Sequence, residues 1–194
     1  DKLNPCNIKG VPYLCDDMSV KQSEKTYTEC EGCIKDNPQF GYIQLYYFKA
    51  PLLYVTTPPM KCLFGVQNNN GSFNMSLQFT GLKEDEEMKS FYNFIQAVEF
   101  ECMKSIGISI HDEDCFVSQI KRDKKNKYDP NLNVKLPFSY NKFQVDIYSE
   151  EYDNVNLFQI QKFTPMQCDI YIDKIWRIND KFFVKWKCKV IKLI

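Results

Sequence analysis

Basic and aromatic side chains alternate near the end of the chain, in a pattern suited to binding a polyanion. Lysines at every second position of a strand form a row about 6.5–7 Å apart, close to the spacing of phosphates along a single nucleic-acid strand. Neighbouring aromatic rings can stack on bases without reading their sequence. The candidate residues are Lys185, Lys187, Lys189 and Phe183, with Tyr171 and Arg177 on the partner strand of a hairpin.

A second basic cluster lies in a loop near the middle of the chain. It contains Lys121, Arg122, Lys124, Lys125 and Lys127. The whole chain has 25 Lys and Arg against 25 Asp and Glu, so a nucleic-acid site has to be a local patch. Lysines on strands also serve as solubilising or edge-protecting charge. Residue types alone leave both interpretations open.

Four cysteines near the start have a spacing compatible with metal binding. Cys6, Cys15, Cys30 and Cys33 follow the form C-x8-C-x14-C-x2-C, and the Cys30–Cys33 knuckle can aim two thiolates at one Zn²⁺. A structural zinc would order a segment that has no core of its own. Disulfides and unlinked thiols fit the same residues, so zinc is a candidate cofactor and no cofactor is certain.

The remaining thiols have a different expected role. The total of nine cysteines is odd, which argues against a secreted disulfide framework and favours a reducing compartment. Six cysteines lie next to apolar positions typical of strands or helices and are interpreted as small buried hydrophobes. They are Cys62, Cys102, Cys115, Cys168 and Cys188, together with Cys15, which also belongs to the candidate metal set.

Catalysis is not expected. The single histidine, His111, has no nucleophile motif beside it, and a surface or capping role suits it better than general-base chemistry. The sequence has no glycine-rich phosphate loop, no G-x-S-x-G elbow and no H-E-x-x-H motif. No apolar run approaches the roughly 20 residues that span a bilayer, so no membrane partner is predicted.

The patterning predicts an α+β chain that is mostly β. Residues 1–40 lack a sustained period and form a Cys-rich N-terminal arm; residues 41–194 form a regular β domain. Met88, Phe91, Ile95 and Val98 recur at helical spacing and predict one major helix over about 83–105, ending near Gly107. The strands predicted around this helix are 42–49, 52–57, 61–66, 72–80, 131–136, 142–148, 167–178 and 181–193, with a loop at 67–71 and a short second helix at 112–121.

The last predicted strand alternates between two faces. Phe182, Val184, Trp186, Cys188 and Val190 are expected to face a core shared with the helix. The opposite face is expected to carry Phe183, Lys185, Lys187, Lys189 and Ile191. This order of elements predicts a mostly antiparallel sheet or small barrel with one helix packed on it.

Several short motifs in residues 45–194 resemble a known viral family. They are Thr57-Pro58-Pro59-Met60-Lys61-Cys62-Leu63-Phe64-Gly65, Tyr128-Asp129-Pro130-Asn131-Leu132, and Ile175-Trp176 followed by Phe182-Phe183-Val184-Lys185-Trp186. Their order resembles that of the OB-fold single-stranded-DNA-binding-like proteins of nucleocytoplasmic large DNA viruses. That group is related to the phage-type replication proteins that coat single strands.

The resemblance implies an OB-type barrel with an inserted helix, no enzymatic activity, and binding of single-stranded DNA during viral DNA replication. It also implies viral replication or virion proteins as partners, and a location in the viral factory of the host cytoplasm or in the virion. The sequence departs from the family pattern in two features. Phage-type members end in an acidic tail, whereas this sequence ends in Lys189-Val190-Ile191-Lys192-Leu193-Ile194. Residues 1–40 also lie outside the pattern. An alternative function is therefore a virion structural or minor capsid protein that uses the same fold for protein contacts.

Overall fold

The computed structural model describes residues 18–20, 40–47, 53–108, 110–151 and 155–194, with side chains given for most of them. Within these ranges it has one α-helix, α1 (Glu86–Ser105), and 3-10 turns at Ile110–Cys115 and Leu157–Gln159. The strands are β1 (Met18–Val20), β2 (Phe40–Tyr47), β3 (Leu53–Thr56), β4 (Met60–Cys62), β5 (Gln67–Asn69), β6 (Ser72–Gln78), β7 (Ile120–Lys121), β8 (Asn131–Leu136), β9 (Phe138–Ser139), β10 (Lys142–Phe143), β11 (Asp146–Tyr148), β12 (Thr164–Ile172), β13 (Lys174–Ile178), β14 (Lys181–Val184) and β15 (Trp186–Leu193).

Five strand positions close into a barrel. The hydrogen-bonded order runs β15-β12-β4-β6-β8, with β3 continuing the β4 position along β12. Parallel pairing of β8 with β15, which places Trp186 opposite Val134, closes the ring. An α+β chain with a five-stranded OB-like barrel and one major helix, as expected, is confirmed.

Alternating strand residues fill the barrel. Met75 and Leu77 of β6 and Leu132 and Val134 of β8 are fully buried, because every second side chain of a strand points to the same side. Trp186 is 0% exposed and belongs to one apolar cluster with the helix residues Met88, Phe91, Ile95 and Val98. The predicted packing of the last strand against the helix is confirmed for Val184, Trp186 and Cys188, and Phe182 packs against the same cluster while partly exposed.

A β-bulge overturns the predicted faces at the end of β15. Ile170 pairs with Cys188 and Asp169 pairs with Val190, so Lys189 is an extra residue in the ladder. The bulge reverses the alternation, and Ile191 is buried whereas Val190 is only half-buried. The prediction that Val190 faces the core and Ile191 faces outward is therefore wrong.

Capping interactions set both ends of α1. Asp85 caps it by accepting hydrogen bonds from the N–H groups of Glu87 and Met88, at 2.9 and 3.1 Å. Gly107 has φ +78°, a conformation that favours glycine, and donates its N–H to the carbonyl of Lys104 after the last turn. The predicted helix and its stop are confirmed, with a start a few residues later than expected.

Several predicted strands are divided in the structure. Predicted strand 181–193 is interrupted at Lys185 between β14 and β15, and predicted strand 167–178 is interrupted at Asp173 between β12 and β13. The predicted loop 67–71 is largely strand β5, joined to β6 by a tight turn in which Asn70 and Gly71 both have positive φ. Predicted helix 112–121 is a 3-10 turn followed by β7, and predicted strand 142–148 is divided into β10 and β11.

A second sheet has the order β1-β2-β13-β14. Met18–Val20 thus pairs with β2, although it belongs to the predicted arm.

Cys6, Cys15, Cys30 and Cys33 lie outside the described residues, so their zinc, disulfide and free-thiol alternatives stay predictions. In the described part Cys62, Cys102, Cys168 and Cys188 are buried and Cys115 is half-buried, largely as expected. No helix described here is long and apolar enough to cross a membrane.

Candidate nucleic-acid interface

One row of outward-facing side chains crosses five strands of the barrel. Register places Tyr54 of β3 opposite Tyr171 of β12, and Tyr171 opposite Lys187 of β15. Lys187 lies opposite Lys135 of β8, which in turn lies opposite Asn74 of β6. Neighbouring strands are about 4.8 Å apart, so each member of this row lies beside the next around the outside of the barrel. Tyr171 is thus flanked by Tyr54 and Lys187, and Lys187 is followed by Lys135.

The β13–β14 hairpin brings further rings to this row. Trp176 and Phe183 are directly opposite each other in the hairpin. The ammonium of Lys185 lies 4.9 Å from the Trp176 ring centroid and 5.6 Å from that of Phe183, within cation–π distance. Burial lowers the pKa of Lys185, and the charges of Lys135 and Lys187 lower it further while Asp173 opposes them. Lys185 is thus a half-buried cation held between planar rings.

Lys187 is paired with an acid. Its Nζ lies 3.1 Å from both carboxylate oxygens of Asp173, and both side chains are largely buried, at 17% and 16% exposure. The same Nζ lies 5.9 Å from the centroid of the Tyr171 ring. Burial, with the Asp173 charge, raises the pKa of Tyr171 to about 12, so its ring stays a neutral phenol. Asp173 therefore neutralises much of the charge that Lys187 would offer to a phosphate.

The other members of the predicted lysine row have different surroundings. Lys189 is exposed at the bulge of β15, and Lys185 lies between two strands rather than within one. Arg177 sits at the hairpin turn, where its Nε donates to the carbonyl of Asn179 at 2.9 Å and its guanidinium lies 3.8 Å from Asp180. The three lysines are consequently not an equivalent, evenly spaced row.

Amide side chains form the floor beside the cations. Asn74 and Lys135 are paired across β6 and β8, and two residues further along Ser76 is opposite Asn133. The Asn133 side chain donates to the Gln119 side chain at 3.3 Å, and its N–H donates to the Gln119 carbonyl at 3.0 Å. A cavity of about 90 Å³ at this point is lined by Asn74, Gln119, Asn133, Lys135, Phe183 and Lys185, together with Ser72 and Trp186.

The same face continues to the second predicted basic cluster. Register places Gln78 opposite Asn131 and Asn131 opposite Lys121, at the other end of β6, β8 and β7. A groove of about 460 Å³ opens there, lined by Gln78, Lys121, Arg122, Asn131, Leu63, Phe64, Tyr128, Phe163, Asp123 and Asp129. Lys135 and Asn131 are four residues apart on one strand, which separates the two ends by about 13 Å.

We call this continuous surface the track. It runs from its hairpin end (Trp176, Phe183, Lys185, Lys135) over the amide floor (Asn74, Asn133, Gln119) to its groove end (Gln78, Asn131, Lys121, Arg122, Phe64, Phe163, Tyr128).

Rings and cations also meet at the groove end. Phe64, Tyr128 and Phe163 are more than half exposed, which is unusual for three large apolar side chains lining one groove. The Arg122 Nε donates to the Tyr92 hydroxyl at 3.0 Å, and Lys127 lies 5.3 Å from the Tyr128 ring centroid. Lys124 and Lys125 are exposed in the same loop. The Asp123 and Asp129 carboxylates accept backbone N–H bonds from Lys127 and Gly81.

The structure thus joins two predicted clusters and adds residues that sequence reasoning missed. Lys185 and Phe183 share the hairpin end, and Lys121 and Arg122 share the groove end. The missed residues are Lys135, Trp176, Tyr54, Asn74, Gln119, Asn133, Phe64, Tyr128 and Phe163. The alternation of Asn131, Asn133 and Lys135 with apolar residues was a usable signal for a polar outer face on β8. Such a surface can neutralise phosphates and stack planar rings.

Comparisons with known proteins place the fold. No family model and no curated protein matches the chain. The single-stranded DNA-binding protein from bacteriophage Enc34 in complex with ssDNA is similar with TM-score 0.51 at 8% identity, over 78% of this chain and 89% of that one. The same phage protein without DNA gives TM-score 0.51 at 8% identity, over 90% and 89% of the two chains. At this identity the likeness shows a shared fold.

A third similar structure is gp2.5, a single-stranded DNA-binding protein encoded by bacteriophage T7. Its TM-score is 0.48 at 8% identity, over 73% of this chain and 86% of that one. The shared fold is shown by the two Enc34 structures.

Proposed function

We propose that this protein binds single-stranded DNA without sequence preference, and that the strand lies along the track. The observation that carries the proposal is the joining of two cation-and-aromatic clusters by an amide floor on one outer face of the barrel. The second and third strand positions of an OB barrel, with the loops beside them, are a common place for oligonucleotides to bind. In this barrel the second and third strand positions are β6 and β8. The β13–β14 hairpin connects the fourth strand, β12, to the fifth, β15.

Each part of the track has a chemical role in this proposal. Lys185 and Lys135 at one end, and Lys121 and Arg122 at the other, neutralise phosphates and release counterions. Trp176, Phe183, Phe64 and Phe163 stack on bases, which works for every base because every base has a π-face. The finer proposal, from the resemblance, is a role in the DNA replication of a large DNA virus, in its cytoplasmic factory or in its virion, together with other viral proteins. The proposed role is binding without catalysis.

Fluorescence tests the placement directly, because the chain has only two tryptophans. Trp186→Phe leaves Trp176 as the only tryptophan, and we expect its fluorescence to be quenched when oligo-dT is titrated in. Trp176→Phe is the matched control: it leaves Trp186, which is 0% exposed, and its emission should not respond. Subtracting the Trp176→Phe signal from that of the unaltered protein reports Trp176 even where Trp186→Phe folds poorly.

Salt dependence tests the electrostatic part. Lys185→Gln and Lys135→Gln should each flatten the slope of log K against log salt by about 0.7, the value for one phosphate of a single strand. Lys89→Gln on α1, which removes an exposed lysine away from the track, should leave the slope unchanged. Trp176→Phe should weaken binding with little change of slope. Absence of oligo-dT binding by the unaltered protein at about 50 mM salt would overturn the proposal and favour the protein-contact function.

A further inference from the structure

A tyrosine occupies an unfavourable backbone position at the tip of the β9–β10 hairpin. Tyr140 and Asn141 have φ +52° and +58°, as both central residues of a type I′ turn require. Asn and Gly tolerate this conformation, whereas a bulky side chain adopts it at a conformational cost. The Tyr140 side chain is nevertheless 96% exposed, so packing within the described residues does not repay that cost. Strain retained at an exposed position suggests a function for the side chain.

The base of this hairpin is held firmly. Phe138 and Phe143 are paired across it, and their ring centroids lie 4.9 and 4.8 Å from that of Phe73 at the end of the barrel. Phe158 adds a further edge contact, 5.4 Å from Phe143. The Gln144 N–H donates to the Pro137 carbonyl at 2.8 Å. The Tyr140 ring is therefore presented from an anchored turn.

The hairpin follows directly from the hairpin end of the track. Lys135, the last outward residue of β8, is five residues before Tyr140, so their Cα atoms are at most about 18 Å apart. The segment around the turn carries Lys135 and Lys142 and no Asp or Glu between them, and the exposed Asp146 follows in β11. The two lysines that flank Tyr140 in sequence suit a polyanion that leaves the track.

We propose that Tyr140 stacks on a base of a single strand that continues past the hairpin end of the track. The inference rests on the proposed function and extends it, because it defines a second stacking position that only a longer strand reaches. The track itself accommodates about four nucleotides, the lower end of the range for one OB fold. The substrate would thus be single-stranded DNA long enough to pass from the track to the β9–β10 turn.

Tyr140→Asn tests the inference without the risk of unfolding. Asn tolerates positive φ, so the urea midpoint of the variant should equal or exceed that of the unaltered protein. Its affinity for a dT strand of about 16 nucleotides should fall about 5- to 150-fold, as for loss of one stacking aromatic. Affinity for a dT strand of about four nucleotides should be unchanged, since that strand occupies only the track. Tyr140→Phe keeps the ring and should bind both lengths normally.

The outcomes separate this inference from the proposed function. Normal affinity of Tyr140→Asn for every strand length, with Trp176 still quenched by DNA, would refute the Tyr140 contact and leave the track intact. Absence of Trp176 quenching would instead count against the track. Reduced self-association of Tyr140→Asn in sedimentation, with DNA affinity unchanged at all lengths, would assign the turn to contacts between copies of the chain and overturn the inference.

Discussion

A buried carboxylate behind the track provides a sharp test of the structure. Glu99 of α1 is 7% exposed, and it accepts hydrogen bonds from the Ser118 hydroxyl at 2.6 Å and the Gln119 N–H at 2.8 Å. It thereby ties the helix to the segment that supplies Gln119 to the amide floor. Burial raises the pKa of Glu99; the two hydrogen bonds and the charge of Arg122 lower it, and burial is the largest effect.

The direction of the pH dependence follows from that raised pKa. Between the usual carboxyl pKa, near 4.5, and the raised folded value, the folded state binds more protons than the unfolded state. Stability from this group is therefore full below about pH 4.5 and is lost as pH rises through the folded pKa. Each unit by which the pKa is raised corresponds to about 1.4 kcal/mol.

Glu99→Gln should remove this pH dependence and leave the contacts. Its carbonyl can accept from the Gln119 N–H, and its amide can donate to the Ser118 oxygen. We expect the variant to match the unaltered protein within about 1 kcal/mol at pH 4, below the usual carboxyl pKa, because the protonated carboxyl predominates there and the hydrogen bonds are exchanged and not lost. Relative to the unaltered protein it should gain stability as pH rises to 8. Glu99→Ala removes the acceptor for two donors and should cost at least about 1–3 kcal/mol.

Urea unfolding followed by tryptophan fluorescence from pH 4 to 8 measures these differences. Glu101→Gln is the matched control, since Glu101 lies on the same helix and forms an i,i+3 pair with the exposed Lys104. The control should change stability by about 0.5 kcal/mol or less at every pH. A loss of stability in Glu99→Gln that grows as pH rises would refute the reasoning, because it would mean that the charged carboxylate stabilises the fold.

Two further predictions concern the core and the Lys187–Asp173 ion pair beside the track. Trp186→Ala should lower the free energy of unfolding by about 3–5 kcal/mol, since Trp186 is fully buried in the barrel; a loss below about 1 kcal/mol in urea titrations would contradict that packing. Asp173→Asn should free Lys187 for phosphate, tighten oligo-dT binding and steepen the salt slope by about 0.7; an unchanged slope would mean that Lys187 does not contact the strand.

Local sequence pattern was sufficient to predict the bounds and the buried face of an element where these depend on that element's own residues. β8 has the predicted bounds, 131–136, because Leu132, Val134 and Leu136 alternate strictly with polar residues. The helix was predictable from its 3.6-residue period, its acidic first turn and Gly107. The burial of Trp186 followed from alternation alone. Both basic clusters could be found because one is contiguous in sequence and the other alternates along the predicted last strand, although the structure divides that strand at Lys185.

The features that sequence analysis missed depend on pairing between strands that are distant in sequence. Nothing local to Lys135 reveals that β8 pairs in parallel with β15, which places Lys135 beside Lys187. Likewise the bulge at Lys189 arises from the register between β15 and β12, so Ile191 and Val190 exchange faces without any signal in their own alternation. Asp173 neutralises Lys187 because the interruption between β12 and β13 leaves its carboxylate 3.1 Å from the Lys187 ammonium on β15. These are properties of partner strands, which single-strand periodicity does not contain.

The proposed binding of a polyanion by a chain of zero net charge relies on local charge at the two separated ends of the track. A phosphate responds to charges within about a Debye length, roughly 8 Å at physiological ionic strength. Lys135 and Asn131, the residue opposite Lys121, are about 13 Å apart along β8, so under the proposed function each end acts on its own phosphates. Exposed charges more than a Debye length away are largely screened from both ends. Because the two ends share no partner at this distance, losses from substituting Lys185 and Lys121 should add in log K, as independent sites do.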